Sequence, residues 1–515
     1  MSRGVPGRTD HVVVVGAGLA GLSTALHLLG AGRRVTVLER AEHPGGRAGR
    51  LDLRSPRGTY HADPGPTVLT MPELLDEAFS AVGEKIDERL ELVPLDPAYR
   101  ARFADGSTID VHTDAEAMAS EVRATCGAAA AAGYERTRAW LTRLYEVEIH
   151  RFIGANHDSP LGLVGPDLAR LAALGGFGRL GPRVARMLPD ERLQRIFTFQ
   201  SLYAGVPPHR ALGAYGVIAF MDTIAGVYFP RGGMRRVGQA LADAAVNAGA
   251  RIHYGRTATG LERRGGRVTA VRHAGRDGAD GERLPCDAVV LTPDLPVVHD
   301  LIGRAPRRAV PLRWSPSAVV LHAGLRTPRP ELAHHTISFG AAWRRTFEEI
   351  IDEGRLMSDP SILVTRPTAT DPGLAPAGSE LVYVLAPCPN LVRGRIDWAH
   401  VGPAYRDELL SVLADRGIEL RADLDVSDLV TPVDWAAAGH AAGTPFSAAH
   451  TFAQTGPFRP RNLVRGVENA VLAGCGTTPG VGIPPVLISG RLAAQRITGA
   501  ADLPPSRARR VPTGR

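Results

Sequence analysis

A glycine-rich turn between two apolar runs constrains this fold more than any other feature of the sequence. His11–Val15 is rich in β-branched residues, as a strand buried on both faces would be, and it leads directly into Gly16-Ala17-Gly18-Leu19-Ala20-Gly21. A helical stretch follows at residues 22–31, and a second apolar run, Arg34–Leu38, ends at Glu39. This order predicts a Rossmann-type dinucleotide-binding unit in an α/β fold. An ordinary glycine-rich turn is the alternative, and the acidic residue after the second strand disfavours it.

The glycines of this turn have separate physical roles. Gly16 allows the tight turn, Gly18 lets the backbone approach a pyrophosphate, and Gly21 lets the helix pack close to the strand. The helix N-terminus would present unpaired N–H groups and its positive dipole end to the phosphates. We expect Glu39 to accept hydrogen bonds from a ribose.

The residues after Glu39 indicate which dinucleotide binds. Pro44-Gly45-Gly46-Arg47 stands where a nicotinamide-binding domain usually continues into an ordinary helix. Glycines permit a close approach of the backbone to a flavin diphosphate, and Arg47 offers a cationic fork for phosphate. This segment predicts FAD as the cofactor, and a Pro-Gly-Gly surface turn with a solvated arginine is the alternative.

Segments of the cofactor type return twice. The middle segment begins at Tyr228 and continues through a helix at residues 237–247 to a strand that ends at Thr292. The third has an apolar strand at residues 469–476, a glycine-rich turn at residues 477–485 and a helix at residues 486–497, whose positive end would face the flavin pyrimidine ring. We therefore predict a discontinuous FAD-binding domain, formed by residues 8–70, 228–300 and 436–500.

The inserted material differs in character. Strand-like runs predict a second, mixed sheet that covers the flavin, in a substrate-binding domain of residues 71–133, 200–227 and 301–435. Residues 134–199 are helical and apolar with recurring arginines, so this insert could contact an anionic membrane surface. An apolar face packed within a helical subdomain is the alternative. The basic tail, residues 501–515, is expected to be disordered.

Composition argues against several classes of protein. The net charge of +7 arises almost wholly from arginine, since Lys85 is the only lysine, and no aromatic-interleaved basic motif accompanies it. We expect no nucleic-acid partner. The four cysteines lack CxxC spacing, which predicts a reducing interior without metal or disulfides. Neither a signal peptide nor a membrane-spanning run is present in the sequence, so we expect a cytoplasmic protein.

Taken in order along the chain, several motifs resemble those of the bacterial-type phytoene desaturases, the carotenoid-desaturase branch of the FAD-dependent amine oxidase superfamily. The resemblance covers nearly the whole chain and rests on residues 63–67, 199–205, 226–234, 332–340, 385–389, 454–462 and 474–485. Thr478 stands where related desaturases often have histidine, and Pro485 where glycine is usual. Both lie near the expected flavin ring, so they bear on the number of desaturation steps and on the exact carotenoid more than on the chemistry of the dehydrogenation.

The resemblance implies dehydrogenation of phytoene, a hydrophobic isoprenoid, to more conjugated carotenes such as lycopene or neurosporene. Flavin N5 would take a hydride from an allylic carbon, and proton loss from the next carbon would complete the alkene. The protein would orient the chain and exclude water. A strong base is not obviously required. His334 and His335 are candidate catalytic residues, and an ordinary histidine pair at the start of a strand is the alternative.

The substrate also implies surroundings and partners. A hydrocarbon of this kind resides in the bilayer, so we expect peripheral association with the inner face of the cell membrane, and oxygen or a membrane quinone as electron acceptor. The expected FAD contacts are Gly16, Ala17, Gly18, Leu19, Ala20, Gly21, Glu39, Arg40, Gly45, Gly46, Arg47, Gly65, Pro66, Thr67, Ala258, Thr292, Gly474, Gly476, Gly482, Ile483 and Pro484. Alternatives are a hydroxycarotenoid or C30 desaturase, a ketolase, a soluble amine oxidase, or a non-catalytic prenyl-binding escort protein.

Overall fold

The strands of this computed structural model fall into two large sheets and three small ones. The structure describes residues 3–275, 281–306 and 310–499, so the tail predicted to be disordered, residues 501–515, lies outside the described residues. The strands are β1 (His11–Val15), β2 (Arg34–Leu38), β3 (Leu51–Ser55), β4 (Gly58–Ala62), β5 (Leu92–Pro94), β6 (Tyr99–Arg102), β7 (Thr108–Val111), β8 (Tyr228–Pro230), β9 (Arg251–His253), β10 (Thr257–Arg264), β11 (Arg267–Ala274), β12 (Glu282–Pro285), β13 (Ala288–Leu291), β14 (Ser317–Leu325), β15 (His335–Ser338), β16 (Ile362–Thr365), β17 (Glu380–Cys388), β18 (Leu424–Val430) and β19 (Ala470–Leu472).

The helices are most concentrated in the part of the described chain that precedes β8. They are α1 (Leu19–Gly30), α2 (Glu73–Ser80), α3 (Ala115–Cys126), α4 (Ala128–Glu148), α5 (Pro166–Ala173), α6 (Leu180–Met187), α7 (Glu191–Ile196), α8 (Gly216–Phe220), α9 (Arg235–Asn247), α10 (Leu295–Ile302), α11 (Arg344–Phe347), α12 (Trp398–Asp415), α13 (Pro432–Ala437) and α14 (Ile483–Thr498). π-Helical turns follow α4, α8 and α11, at Ile149–Ile153, Met221–Ala225 and Glu348–Glu353.

The first large sheet is wholly parallel, with the strand order β19-β13-β1-β2-β9. Its central strand β1 is a run of valines because one face of the sheet packs against α1 and α14 and the other against β11 and α10, and Val12, Val13 and Val14 are fully buried. The strands come from three separated parts of the chain, and the C-terminal β19 completes one edge. The predicted strands at His11–Val15 and Arg34–Leu38 are confirmed with the same bounds.

Helix α1 packs against both α14 and α9. The contact with α14 is close at Gly490, where a Cβ atom would lie 2.5 Å from the Ala20 carbonyl oxygen. The Ser23 hydroxyl also donates to the Leu487 carbonyl at 2.8 Å. Both helices begin three residues before their predicted starts because each follows directly on a glycine, and α14 accommodates its prolines in its first turn.

The second large sheet is mixed, with the order β18-β14-β17-β16-β15-β6-β7 and one parallel pair, β6 with β15. Successive side chains of a strand point to opposite faces, so β14 and β17 divide their residues between two environments. Val319 and Val382 pack with α12 in an apolar core. Val320 and Tyr383 belong to the opposite face, which lines a cavity. This is the mixed sheet that the sequence predicted.

Helices α3 to α8 lie between β7 and β8, and their buried residues include Trp140 and Leu144 of the long helix α4. Within the part of the chain that the structure describes, no helix is long and apolar enough to cross a membrane.

Candidate active site

The glycine-rich turn has the backbone geometry expected of a phosphate-binding turn. Gly16 has a φ of +104°, and a Cβ atom there would lie 2.2 Å from the Thr292 hydroxyl oxygen. A Cβ atom at Gly21 would lie 2.0 Å from the Gly16 carbonyl oxygen, so α1 and β1 can approach only because Gly21 has no side chain. No side chain of the described residues caps α1 after Gly18, so its first N–H groups are available to a ligand.

Glu39 holds this turn from the end of β2. Its carboxylate accepts the Ala17 N–H at 2.7 Å and the Ala41 N–H at 2.9 Å, and its side chain is almost completely buried. Each carboxylate oxygen can accept more than one hydrogen bond. Because Glu39 also lines the cavity, it can brace the turn and still accept a bond from a ligand hydroxyl.

The second glycine segment lies directly against the first. Gly45 and Gly46 both have positive φ values, +106° and +58°, and the Gly45 N–H donates to the Ala17 carbonyl at 2.9 Å. A Cβ atom at Gly46 would lie 3.2 Å from the Cα of Gly18. The two segments therefore form one backbone-lined surface on which a diphosphate can lie close to the chain.

Arg47 joins the N-terminal part of this site to the C-terminal part of the chain. Its guanidinium donates to Cys475 Sγ at 2.5 Å and contacts His440 Nδ1 at 3.4 Å. Burial and the nearby guanidinium lower the pKa of His440 to about 4, so the imidazole is neutral and can accept. Arg47 lines the cavity and remains the predicted phosphate ligand.

The C-terminal turn supplies a third wall of the cavity. Gly474 donates its N–H to the Ser489 hydroxyl at 3.0 Å, and Gly482 has a φ of +116° immediately before α14 begins. Thr478 and Pro485, the two departures from the family pattern, both line the cavity. The α14 N-terminus has no side-chain cap from the described residues and is open to a ligand.

These three segments meet in a cavity of about 830 Å³. All the predicted FAD contacts line it except Ala17 and Gly21, which instead hold the turn in shape. Ala258 and Thr292 line it from the middle part of the chain, and Gly65, Pro66 and Thr67 from the segment after β4. The residues present therefore fit a dinucleotide with a long phosphate-containing middle section.

The cavity continues beyond the glycine turns into an apolar region. This region lies between the mixed sheet and the helical region, and its lining includes Val217, Val320, Phe339, Trp343, Leu363, Leu385 and Phe446. Several large apolar side chains near it are exposed to solvent. We call them the apolar rim: Leu161, Val164, Phe177, Phe452 and Phe458. The rings of Phe452 and Phe458 lie 5.9 Å apart and both line the cavity.

The structure places His334 and His335 at the start of β15, outside the cavity lining. The ring nitrogens of His335 lie 3.3 Å from the Ala98 carbonyl and 3.2 Å from the Thr67 carbonyl. Burial lowers the pKa of His335 to about 4. His334 Nδ1 contacts the Thr370 hydroxyl at 2.6 Å. The pair therefore lies behind Thr67 and does not line the cavity, and a catalytic role for it stays a prediction.

Sequence reasoning missed two buried carboxyl groups that line the cavity, Asp222 and Glu148. Among the described residues, Asp222 Oδ2 and Glu148 Oε1 have no hydrogen-bond partner. Burial raises the pKa of Asp222 to about 7, and burial alone raises the pKa of Glu148. Asp222 lies on a π-helical turn and Glu148 directly before one, features that apolar periodicity does not reveal.

A third missed residue, Asp294, lies just after β13. It also lines the cavity, and its carboxylate accepts the Ala441 N–H at 3.0 Å. Because ligands bind outside the carboxyl ends of parallel strands, its place in the sequence was a usable signal.

Comparison with known proteins agrees with this geometry. The family model described as flavin containing amine oxidoreductase matches residues 19–498. A phytoene dehydrogenase of Streptomyces griseus is 65% identical over 96% of this chain and 96% of its own length. A zeta-carotene-forming phytoene desaturase of Myxococcus xanthus is 36% identical over 96% of this chain and 95% of its own length.

Solved structures show the same fold at much lower identity. An oxidoreductase from Methanosarcina mazei has a TM-score of 0.60 and 16% identity, over 93% of this chain and 98% of the other. By the family model and the two sequence relatives, the chain belongs to the flavin-containing amine oxidoreductase family, in its phytoene dehydrogenase and desaturase branch.

Proposed function

We propose that this protein is an FAD-dependent carotenoid desaturase that dehydrogenates phytoene to more conjugated carotenes. The observation that carries the proposal is the continuity of one cavity, in which a dinucleotide cleft opens into a long apolar region. The names of the two sequence relatives described above, a phytoene dehydrogenase and a phytoene desaturase, also support phytoene as the substrate.

The residues that would hold FAD are those of the three glycine segments. The first N–H groups of α1 would bind the pyrophosphate, Glu39 the ribose, and Arg47 would add a positive charge beside the phosphates. The α14 N-terminus would favour negative charge on the flavin ring. When bound, FAD supplies the hydride acceptor that a hydrocarbon dehydrogenation requires.

The protein's own contribution is to bind and orient the substrate and to exclude water from it. A hydrocarbon offers no polar handle, so its position is set by the shape of the apolar region between β14, β17 and the helical part. Val320 and Leu385 on the sheet and Val217 and Met221 on the helical side would enclose the chain. Enclosure excludes water from the carbon that becomes cationic and would otherwise be hydrated.

The apolar rim supports a peripheral association with the membrane. Leu161 is 78% exposed and Phe452 is 59% exposed, next to the cavity that would receive the substrate. Large exposed apolar side chains at a cavity mouth are typical of an interaction site, and the substrate is dissolved in lipid. We propose oxygen or a membrane quinone as the final electron acceptor.

The test uses the purified holoprotein with phytoene in liposomes. We expect a flavin absorption spectrum, bleaching of the flavin when phytoene is added under anaerobic conditions, and coloured carotenes as products. Hydroxylated carotenoids and a C30 hydrocarbon are assayed in parallel. Absence of flavin would support the escort-protein alternative, and turnover of another carotenoid without turnover of phytoene would overturn the proposed substrate.

A further inference from the structure

We propose that Asp222 accepts the proton that the substrate loses in this dehydrogenation, an inference that rests on the proposed function. The hydride acceptor is assigned to the cofactor, but the second hydrogen leaves as a proton and needs a base or water. The surrounding cavity is mostly apolar, so a polar group inside it has a cost that calls for an explanation.

Asp222 is positioned by an irregular piece of helix. The α-helix α8 ends at Phe220 and continues as the π-helical turn Met221–Ala225, and such turns are frequent at functional sites. The side chain of Asp222 is 5% exposed and lines the cavity. Its Oδ2 atom has no partner among the described residues and is free to take a proton.

Two tyrosines give Asp222 the surroundings of a base. Among the described residues, Tyr99 on β6 and Tyr203 are the titratable groups that face it. Burial raises the pKa values of both tyrosines, so both hydroxyls are neutral near pH 7. The Tyr99 hydroxyl makes no hydrogen bond to any described residue within ordinary distance limits, but it lies near enough to Asp222 to offset part of the desolvation that raises the pKa of Asp222 to about 7. A base whose pKa lies near the working pH is well suited to proton transfer.

The histidine pair acquires an indirect role in this arrangement. The His335 ring packs against Tyr99, with ring centroids 5.4 Å apart, and Phe199 contacts the same tyrosine at 5.8 Å. His335 is itself fixed between two backbone carbonyls. It is therefore a positioning residue for the Tyr99 hydroxyl and not a proton acceptor.

Glu148, the other buried carboxyl group of the cavity, is less suited to accept a proton. Among the residues that the structure describes, no hydroxyl offsets its desolvation, and burial alone raises the pKa of Glu148 well above its usual value. Burial therefore disfavours the charged carboxylate form that a base needs.

The proton balance of the step is as follows. One C–H bond breaks, and its hydrogen would leave with the bonding electron pair, as hydride, to the acceptor that bound FAD would supply. The C–H bond of the neighbouring carbon then breaks, its electron pair forms the new C=C bond, and the proton binds Asp222 Oδ2. The carboxylate becomes a neutral carboxyl group and must release its proton before the next dehydrogenation.

The experiment compares flavin-loaded wild type with Asp222→Asn, Tyr99→Phe and a matched control, Asp243→Asn, in an exposed position of α9. We expect Asp222→Asn to keep its flavin and its KM but lose about 100- to 10,000-fold in kcat. The wild-type kcat should fall as the pH drops through about 7, because protonation removes the base. Tyr99→Phe should move this fall to higher pH, because its hydroxyl lowers the pKa of Asp222.

Infrared difference spectra give a readout that does not depend on activity. Wild type should show a protonated-carboxyl C=O band that titrates near pH 7, and Asp222→Asn should lack it. If wild type converts no phytoene, the proposed function and this inference both fail. If wild type converts phytoene and Asp222→Asn keeps its rate and the same pH profile, only the inference fails. If Asp222→Asn loses its flavin, Tyr99→Phe decides, and an unmoved pH profile in that variant overturns the inference.

Discussion

Substituting Glu39 with glutamine tests how the flavin cleft is held together. The wild-type carboxylate accepts two backbone N–H groups, from Ala17 in the glycine-rich turn and from Ala41 after β2. Glutamine has the same shape but only one acceptor oxygen. Whichever way the amide is turned, its NH2 group faces one of the two N–H groups.

The cost follows from the number of bonds lost. A hydrogen bond to a charged group contributes about 1.5–3 kcal/mol, and a buried N–H left without a partner costs about 1–3 kcal/mol. Because Glu39 is almost completely buried, water cannot replace the lost partner. We expect Glu39→Gln to lose about 2–4 kcal/mol, shared between the stability of the turn and the binding of the cofactor. If the whole loss falls on cofactor binding, the Kd for FAD rises about 30- to 1,000-fold.

The assay measures both parts of this loss. Reconstitution of apoprotein with FAD gives the Kd from flavin fluorescence, and urea unfolding of the apoprotein gives the change in stability. The matched control is Glu42→Gln, an exposed residue three positions further along. If Glu39→Gln binds FAD as wild type does and unfolds at the same urea concentration, the proposed bracing of the turn is refuted.

Three other predictions test separate features. Gly21→Ala should displace α1 and abolish flavin binding, because its Cβ would overlap the Gly16 carbonyl. Gly260→Ala is the control, because its Cβ would enter open space and the substitution should be tolerated. Flavin content and Tm measure both effects. Phe452→Ser with Phe458→Ser should reduce co-flotation with liposomes, whereas Val392→Ser, which is more exposed but outside the cavity lining, should not; equal flotation would contradict a role of the rim. Burial lowers the pKa of His322 to about 4, so below about pH 6.5 the unfolded chain binds a proton that the folded protein does not. The free energy of unfolding therefore falls by about 1.4 kcal/mol per pH unit below that pH. His322→Leu should therefore flatten the decline in unfolding free energy between about pH 6.5 and 4.5, the exposed His400→Gln should not, and an unchanged slope in His322→Leu would show that His322 is not the group responsible.

The parts of the fold that the sequence predicted are those set by local pattern. The valine run and the glycine spacing fix β1, the turn and α1 within about 30 residues, because strand burial and helix packing both act on neighbouring residues. The third cofactor segment was also recognisable, since an apolar strand and a glycine-rich turn precede α14.

The parts that escaped prediction depend on contacts between distant segments. Arg47 and Cys475 are far apart in sequence, and only the assembled sheet brings them within hydrogen-bond distance. Asp222 lies on a π-helical turn, which departs from the α-helical period and so leaves no periodic signal in the sequence. His335 was a candidate base because of its residue type, and only the structure shows that both of its ring nitrogens lie beside backbone carbonyls, of which a neutral imidazole can donate to one.

The late position of β19 and α14 has a consequence for biosynthesis. A ribosome that adds about 5–20 residues per second needs roughly half a minute to a minute and a half to travel from the glycine-rich turn to β19. During that interval β13 lacks its outer neighbour and α1 lacks the helix that covers it. The nascent chain therefore cannot close a finished nucleotide pocket before β19 and α14 are synthesised, and we expect the cofactor to be loaded only after them.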